Sequence, residues 1–227
     1  MGRASSAILA ARRAGAVEKL MKPQVHIFWD NSNIFIGAKS VAQEREHWST
    51  DKTIRINFET LYKLAAADRT VVSAVCIGSV PPELETVWDR IEKMGVTVEC
   101  LERGRASGKE QGVDQSLQVH MLRSLADAAK PSVAVLLTGD GKGYCDGVGF
   151  HADLERMAKK NWGIEVISWD KCCNGRLKSW ASKEGIYIKL EDYYDAVTFL
   201  EGSRQPKPLS LKNRKFALPS REIAVPA

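Results

Sequence analysis

The stretch VHIFWDNSNIF, residues Val25–Phe35, decides the fold: strand-favouring apolar residues run into an acid, Asp30, and then into Asn31, Ser32 and Asn33. Apolar strands do not end on a carboxylate by preference, because the charged group is costly to bury unpaired. In open parallel sheets, however, binding groups gather where strands end at their carboxyl side. A second strand pattern, SVAVLLTGD at 132–140, also ends on an acid, Asp140. If the two strands are neighbours, the acids share one end of a sheet. A third acid, Asp114, opens the helical pattern GVDQSLQVHMLRSLADAA that leads into the second strand.

Between these points strands alternate with helices. NFETLYKLAAAD reads as a helix, TVVSAVCIG as a strand, PPELETVWDRIEKMG as a helix with prolines at its start and Gly95 at its end, and VTVECL as a strand. GFHADLERMAKKNWG, GRLKSWASKEG and YYDAVTFLEG read as later helices, with IEVISW and IYIKL as the strands among them. Such alternation implies crossover units and a mainly parallel sheet covered on both faces, an α/β fold of three layers, α/β/α. Residues 37–56 read as a long polar connection and a candidate substrate loop.

With 227 residues and 44% hydrophobic content the chain can bury one full core, expected over residues 24–202. Residues 1–23 form a basic N-terminal extension, and 203–227 a basic, proline-containing tail expected to be largely disordered. No apolar run has the length of a membrane span, and Arg12 and Arg13 interrupt the only apolar stretch near the start. Five cysteines, two of them adjacent, argue against a disulfide framework and for a reducing, cytoplasmic setting. The net charge of +5 is uneven: residues 1–24 carry +4 and 203–227 carry +5, which leaves −4 on the body. Basic ends on an acidic centre fit a protein that holds polyanions with its arms and a cation in its middle.

Three convergent carboxylates would repel one another by several kcal/mol without a cation. An all-oxygen donor set selects Mg²⁺ or Mn²⁺, which polarise phosphoryl oxygens. The glycines of TGDGKGY match neither a P-loop nor a dinucleotide fingerprint, and the adjacent cysteines lack a second pair at zinc spacing. Trp29, Trp88, Trp162, Trp169 and Trp180 sit in apolar patterns and are assigned to the core, whereas Trp48 lies in a polar stretch suited to stacking on a base.

IFWDNSNIF, KEQGVDQSLQVHML, LLTGDGKGY, GIEVISW and YIKLEDYYD, in this order, resemble the NYN domain of the LabA-like group within the PIN-like nuclease superfamily. The resemblance spans roughly residues 24 to 195 and neither tail. It implies a PIN-like fold and a metal-dependent ribonuclease, with Asp30, Asp114 and Asp140 as the acidic catalytic and metal positions. Asn33 matches an amide that steadies the site, and Asn31 joins it as an orienting residue. Two positions depart from the pattern. Lys142 stands where a further acid is common, which points to a phosphate contact and a one-metal site, and His120 stands where an aspartate is frequent. Asp146 is a candidate fourth carboxylate, and Lys109, Lys142, Arg103 and Arg105 are candidate RNA phosphate contacts. The competing expectation is a catalytically silent relative that binds RNA or a partner protein; beside RNA, the expected partners are a second copy of the chain, as a homo-oligomer, or another protein.

Overall fold

Strand β1 (Val25–Asp30) is buried along its whole length, as are β5 (Val133–Leu137) and β6 (Gly163–Ser168). The computed structural model describes residues 22–46, 52–79, 85–101, 112–139 and 147–220. Six parallel strands form one sheet in the order β4-β3-β1-β5-β6-β7, with β3 at Val71–Ser79, β4 at Thr97–Leu101 and β7 at Ile186–Lys189. The three strands buried throughout occupy the centre, as their unbroken apolar runs require, and the edge strands β4 and β7 are partly exposed.

Helices cover both faces. On one lie α1 (Asn31–Arg45), α2 (Phe58–Ala66) and α3 (Glu85–Glu92), packed on Ile27, Trp29 and Leu137. On the other lie α4 (Val113–Asp127), α5 (Phe150–Lys159) and α6 (Gly175–Glu184), packed on Phe28, Ile77, Leu136 and Val166. Successive residues of β1 thus serve opposite layers, the period of two expected of a strand. The three-layer α/β/α architecture is the one the sequence implies. Trp29, Trp88, Trp162 and Trp169 are buried, and Trp180 packs partly buried in the layer between the sheet and α4–α6. Among the described residues no helix is long and apolar enough to cross a membrane.

Three expectations need correction. Residues 37–56 are not a polar connection: α1 runs on to Arg45, and Ile54–Ile56 form β2. The helix is held by a narrow stripe of Ile34, Gly37, Ala38, Val41 and Ala42, which packs closely because its residues are small. A Cβ on Gly37 would meet Trp169 Cδ1 at 2.3 Å, so only glycine admits the indole. The YYDAVTFLEG segment is not one helix. A 3-10 turn (Leu190–Tyr193) leads into the short α7 (Tyr194–Val197), and Thr198–Leu200 form β8, antiparallel to β2.

The third correction concerns residues 203–220, which pack as a strap along the domain rather than forming a disordered tail. The reason lies in β6. Glu165 is fully buried at the sheet's centre, and a buried carboxylate must be paired. Arg69 meets it through Nη1 and Nη2 at 2.7 and 2.9 Å. Arg214 of the strap donates from Nη2 at 2.6 Å, and the backbone amide of Ala217 donates at 2.7 Å. One of the basic residues that composition assigns to a solvated tail is therefore an interior counter-ion. Residues 221–227 and 1–21 lie outside the described residues.

Candidate active site

Asp30 closes β1, is fully buried, and serves as the N-cap of α1. Its Oδ1 accepts the backbone N–H of Asn33 at 3.0 Å. Its Oδ2 accepts the Asn33 side-chain amide and, at 3.2 Å, the hydroxyl of Thr138. The Asp-Asn-Ser-Asn sequence is thus a cap that clamps its own carboxylate: Asn33 holds both oxygens, and the positive end of α1 adds support. The neighbouring Asn31 Oδ1 is buried with no hydrogen-bond partner among the described residues, a spare oxygen donor beside the acid.

Thr138 is the threonine of the LLTGD motif. Because β5 is the direct parallel neighbour of β1, with Trp29 opposite Leu137, the two acid-bearing motifs meet at the carboxyl edge of the sheet. The Thr138 hydroxyl joins them across 108 positions of sequence. Gly139 follows, its carbonyl accepting the Asn174 amide at 3.2 Å, which ties this corner to the turn that starts α6.

Asp114 lies in the first turn of α4 and is exposed. Gly112, in the left-handed region at φ 87°, is the N-cap and supplies no side-chain cap, so an acid in the first turn complements the bare amides. Val113 and Leu117 seat this end of the helix with Phe28 and Ile77 of the central strands. A Cβ on Gly112 would lie 3.6 Å from Leu101 Cδ1, which puts the start of α4 beside the end of β4. Asp114 therefore stands at the same end of the sheet as Asp30.

Asp140, Lys142, Asp146, Lys109, Arg103, Arg105 and Trp48 lie outside the described residues. Among the described residues no three His, Cys, Asp or Glu side chains converge as metal donors. The donors that are described, the carboxylates of Asp30 and Asp114 and the amide oxygen of Asn31, are all oxygen, the chemistry that Mg²⁺ or Mn²⁺ takes. The described donors fit such an ion in kind.

The sequence reading missed Glu99. Its Oε1 lies 2.6 Å from His120 Nε2, and its Oε2 accepts the Ser116 hydroxyl. The hydrogen bond from Ser116, and after it that from His120, hold the Glu99 carboxyl below the usual range. His120 is therefore tethered to a strand acid. Glu99 shares a row with the site: Asp30 is the Cα partner of Ile77, and Ile77 of Glu99. The one signal in the sequence was the spacing of Ser116 and His120, four apart on one helix face, which asks for a common partner.

The family model of the NYN domain matches residues 24–185. A solved structure, that of a protein of unknown function from Vibrio parahaemolyticus, is similar with a TM-score of 0.55 and 14% sequence identity, over 76% of this chain and 96% of that one. At that identity the likeness concerns the fold. No curated protein matches. The acid-ended β1, the T-G-D strand beside it and the profile match across most of the sheet lead to one conclusion: the chain belongs to the NYN domain family and has its PIN-like α/β fold.

Proposed function

We propose that the protein is a metal-dependent ribonuclease of the LabA-like NYN group, hydrolysing RNA phosphodiester bonds at the carboxyl edge of β1 and β5. The observation that carries this reading is the Asp30–Thr138 hydrogen bond, which brings the two acid-bearing motifs to one point. Asp30, Asp114 and Asp140 would hold Mg²⁺ or Mn²⁺. The ion, when bound, supplies polarisation of a phosphoryl oxygen and a more acidic water.

The chain's own groups do the positioning. Asn33 and Thr138 fix the rotation of the Asp30 carboxylate, and the burial of Asp30 keeps bulk water from its inner face. Asn31 offers Oδ1 to a water or ligand beside it. Lys109, Lys142, Arg103 and Arg105 are the proposed phosphate contacts, Lys142 in place of a further metal ligand, and Trp48 is the proposed base-stacking residue. Asp146 is a proposed fourth carboxylate. The reducing, cytoplasmic setting inferred from the cysteines agrees with an RNA substrate.

A second reading has its own support. Both Asp30 oxygens are already engaged within the protein and the residue caps α1, as it would in a silent module that binds RNA or a protein partner, alone or as a homo-oligomer. The deciding experiment is cleavage of end-labelled single-stranded RNA with Mg²⁺, with Mn²⁺ and with EDTA. Metal-dependent products absent from Asp30→Asn support the nuclease. Binding without cleavage in every arm supports the silent module.

A further inference from the structure

The row Asp30–Ile77–Glu99 crosses three neighbouring strands. Strands lie about 4.8 Å apart, so Glu99 stands roughly 10 Å from Asp30 along the sheet. That span is about three steps of a stacked strand at roughly 3.4 Å each, and fewer of an extended one. Paired residues of parallel strands project to the same face. Ile77 packs with Val113 and Leu117 of α4, and Glu99 bonds Ser116 and His120 of the same helix. Glu99 therefore opens on the α4 side of the sheet, in line with the acid of the candidate site.

Its environment is that of a prepared acceptor. The side chain is 35% exposed and that of His120 is 21% exposed, so the pair meets solvent without being free in it. An ionised carboxylate only accepts, so His120 Nε2 carries the proton that faces it. Ser116 and His120 occupy one lone pair on each oxygen, and a carboxylate has about four such sites. The remaining sites are open to a further donor, water or a ligand group. A polynucleotide's phosphates are repelled by an anion, and its bases vary with sequence; the donor present at every ribonucleotide and missing from DNA is the 2′-hydroxyl. The depressed Glu99 carboxyl keeps the acceptor charged at neutral pH.

We propose that Glu99, braced by Ser116 and His120, accepts the ribose 2′-hydroxyl of a nucleotide within about three steps of the one over Asp30, and so makes the site select RNA over DNA. This rests on the RNA-binding part of the proposed function and not on cleavage.

The test is binding of the full chain, in EDTA so that no strand is cut, to one labelled sequence made as RNA, as DNA and as RNA with a single 2′-O-methyl group moved position by position. A hydrogen bond to a charged acceptor predicts about tenfold tighter binding of RNA than of DNA. The methyl scan should show a penalty confined to one or two adjacent positions. Glu99→Ala should lower RNA affinity to the DNA level and leave DNA affinity unchanged, and Glu99→Gln, whose amide oxygen still accepts, should fall between. Equal losses for RNA and DNA in Glu99→Ala, or a flat methyl scan with the unmodified protein, overturns the proposal and leaves Glu99 a clip between β4 and α4. The scan needs no variant, so it decides even if Glu99→Ala fails to fold. RNA and DNA bound equally by the parent protein would sink this inference alone; neither bound at all would sink the RNA reading with it.

Discussion

Thr138 gives its hydroxyl to Asp30, and Asn33 gives two N–H groups to the same carboxylate. Asp30 is thus an acceptor for three donors. In Asp30→Asn the amide oxygen still caps α1, but its NH₂ must face a donor. We expect that variant to lose metal-dependent cleavage and to lose about 1–3 kcal/mol of stability. Relief of charge repulsion alone would instead leave stability unchanged or raised. Thr138→Val should cost about 1 kcal/mol and lower cleavage without abolishing it. Urea titrations beside single-turnover cleavage of both variants check the pair of outcomes.

Arg214 shares the Glu165 carboxylate with Arg69. Removing one partner of a buried ion pair costs about 3–5 kcal/mol when the other charge is left alone. Arg69 remains in Arg214→Ala, so the expected loss lies toward the lower end, about 3 kcal/mol. Arg69→Ala, which removes a two-pronged contact, should cost more. Chemical denaturation measures both; a loss under 1 kcal/mol in each would mean that the buried cluster is not strongly coupled to folding.

The strap also redistributes the tail's charge. Arg214 is consumed in the interior and Lys207 pairs with Asp195 at 2.6 Å, whereas Lys212 and Lys215 are exposed. Each phosphate contact to a single strand adds roughly 0.7 to the slope of log affinity against log salt. Lys212→Ala and Lys215→Ala should each flatten that slope by about this amount, whereas Arg214→Ala should leave it unchanged at temperatures where the variant is folded. An unchanged slope in the lysine variants would assign capture of RNA to other residues.

Glu99 gives the fold a measurable acid response. Its carboxyl is held below the ordinary 4.5, chiefly by Ser116 and then by His120. A depressed carboxyl adds stability above its unfolded value, and that contribution is lost as pH falls through the folded value. Glu99→Gln should therefore be less stable than the parent at neutral pH, with the difference shrinking below about pH 4.5. Thermal melting across that range reads the convergence, and a constant gap would mean that the carboxyl does not titrate with folding.

What the sequence disclosed follows from how far each signal reaches along the chain. The central strands announce themselves because β1, β5 and β6 are buried on both faces and carry unbroken apolar runs. Asp30 was legible because its clamp, Asn33, lies three residues away. The second half of α1 was hidden because its buried stripe uses Gly37, Ala38 and Ala42, which weigh little as hydrophobic residues, amid Lys39, Gln43, Glu44 and Arg45. The strap was hidden because the partner that orders it, Glu165, is 49 residues from Arg214. Glu99 was hidden because its partners Ser116 and His120 lie 17 and 21 residues on.

The order in which the Glu165 cluster is synthesised has a bearing on folding in the cell. Arg69 leaves the ribosome 96 residues ahead of Glu165, so the sheet can assemble with its central acid already matched. Arg214 and the amide of Ala217 follow 49 and 52 residues after that acid. A growing chain thus passes through a stage in which the sheet is complete in strands but its interior carboxylate has two of its four final hydrogen bonds. During that interval the surface that the strap later covers is exposed, and a delay in elongation after β7 would prolong it.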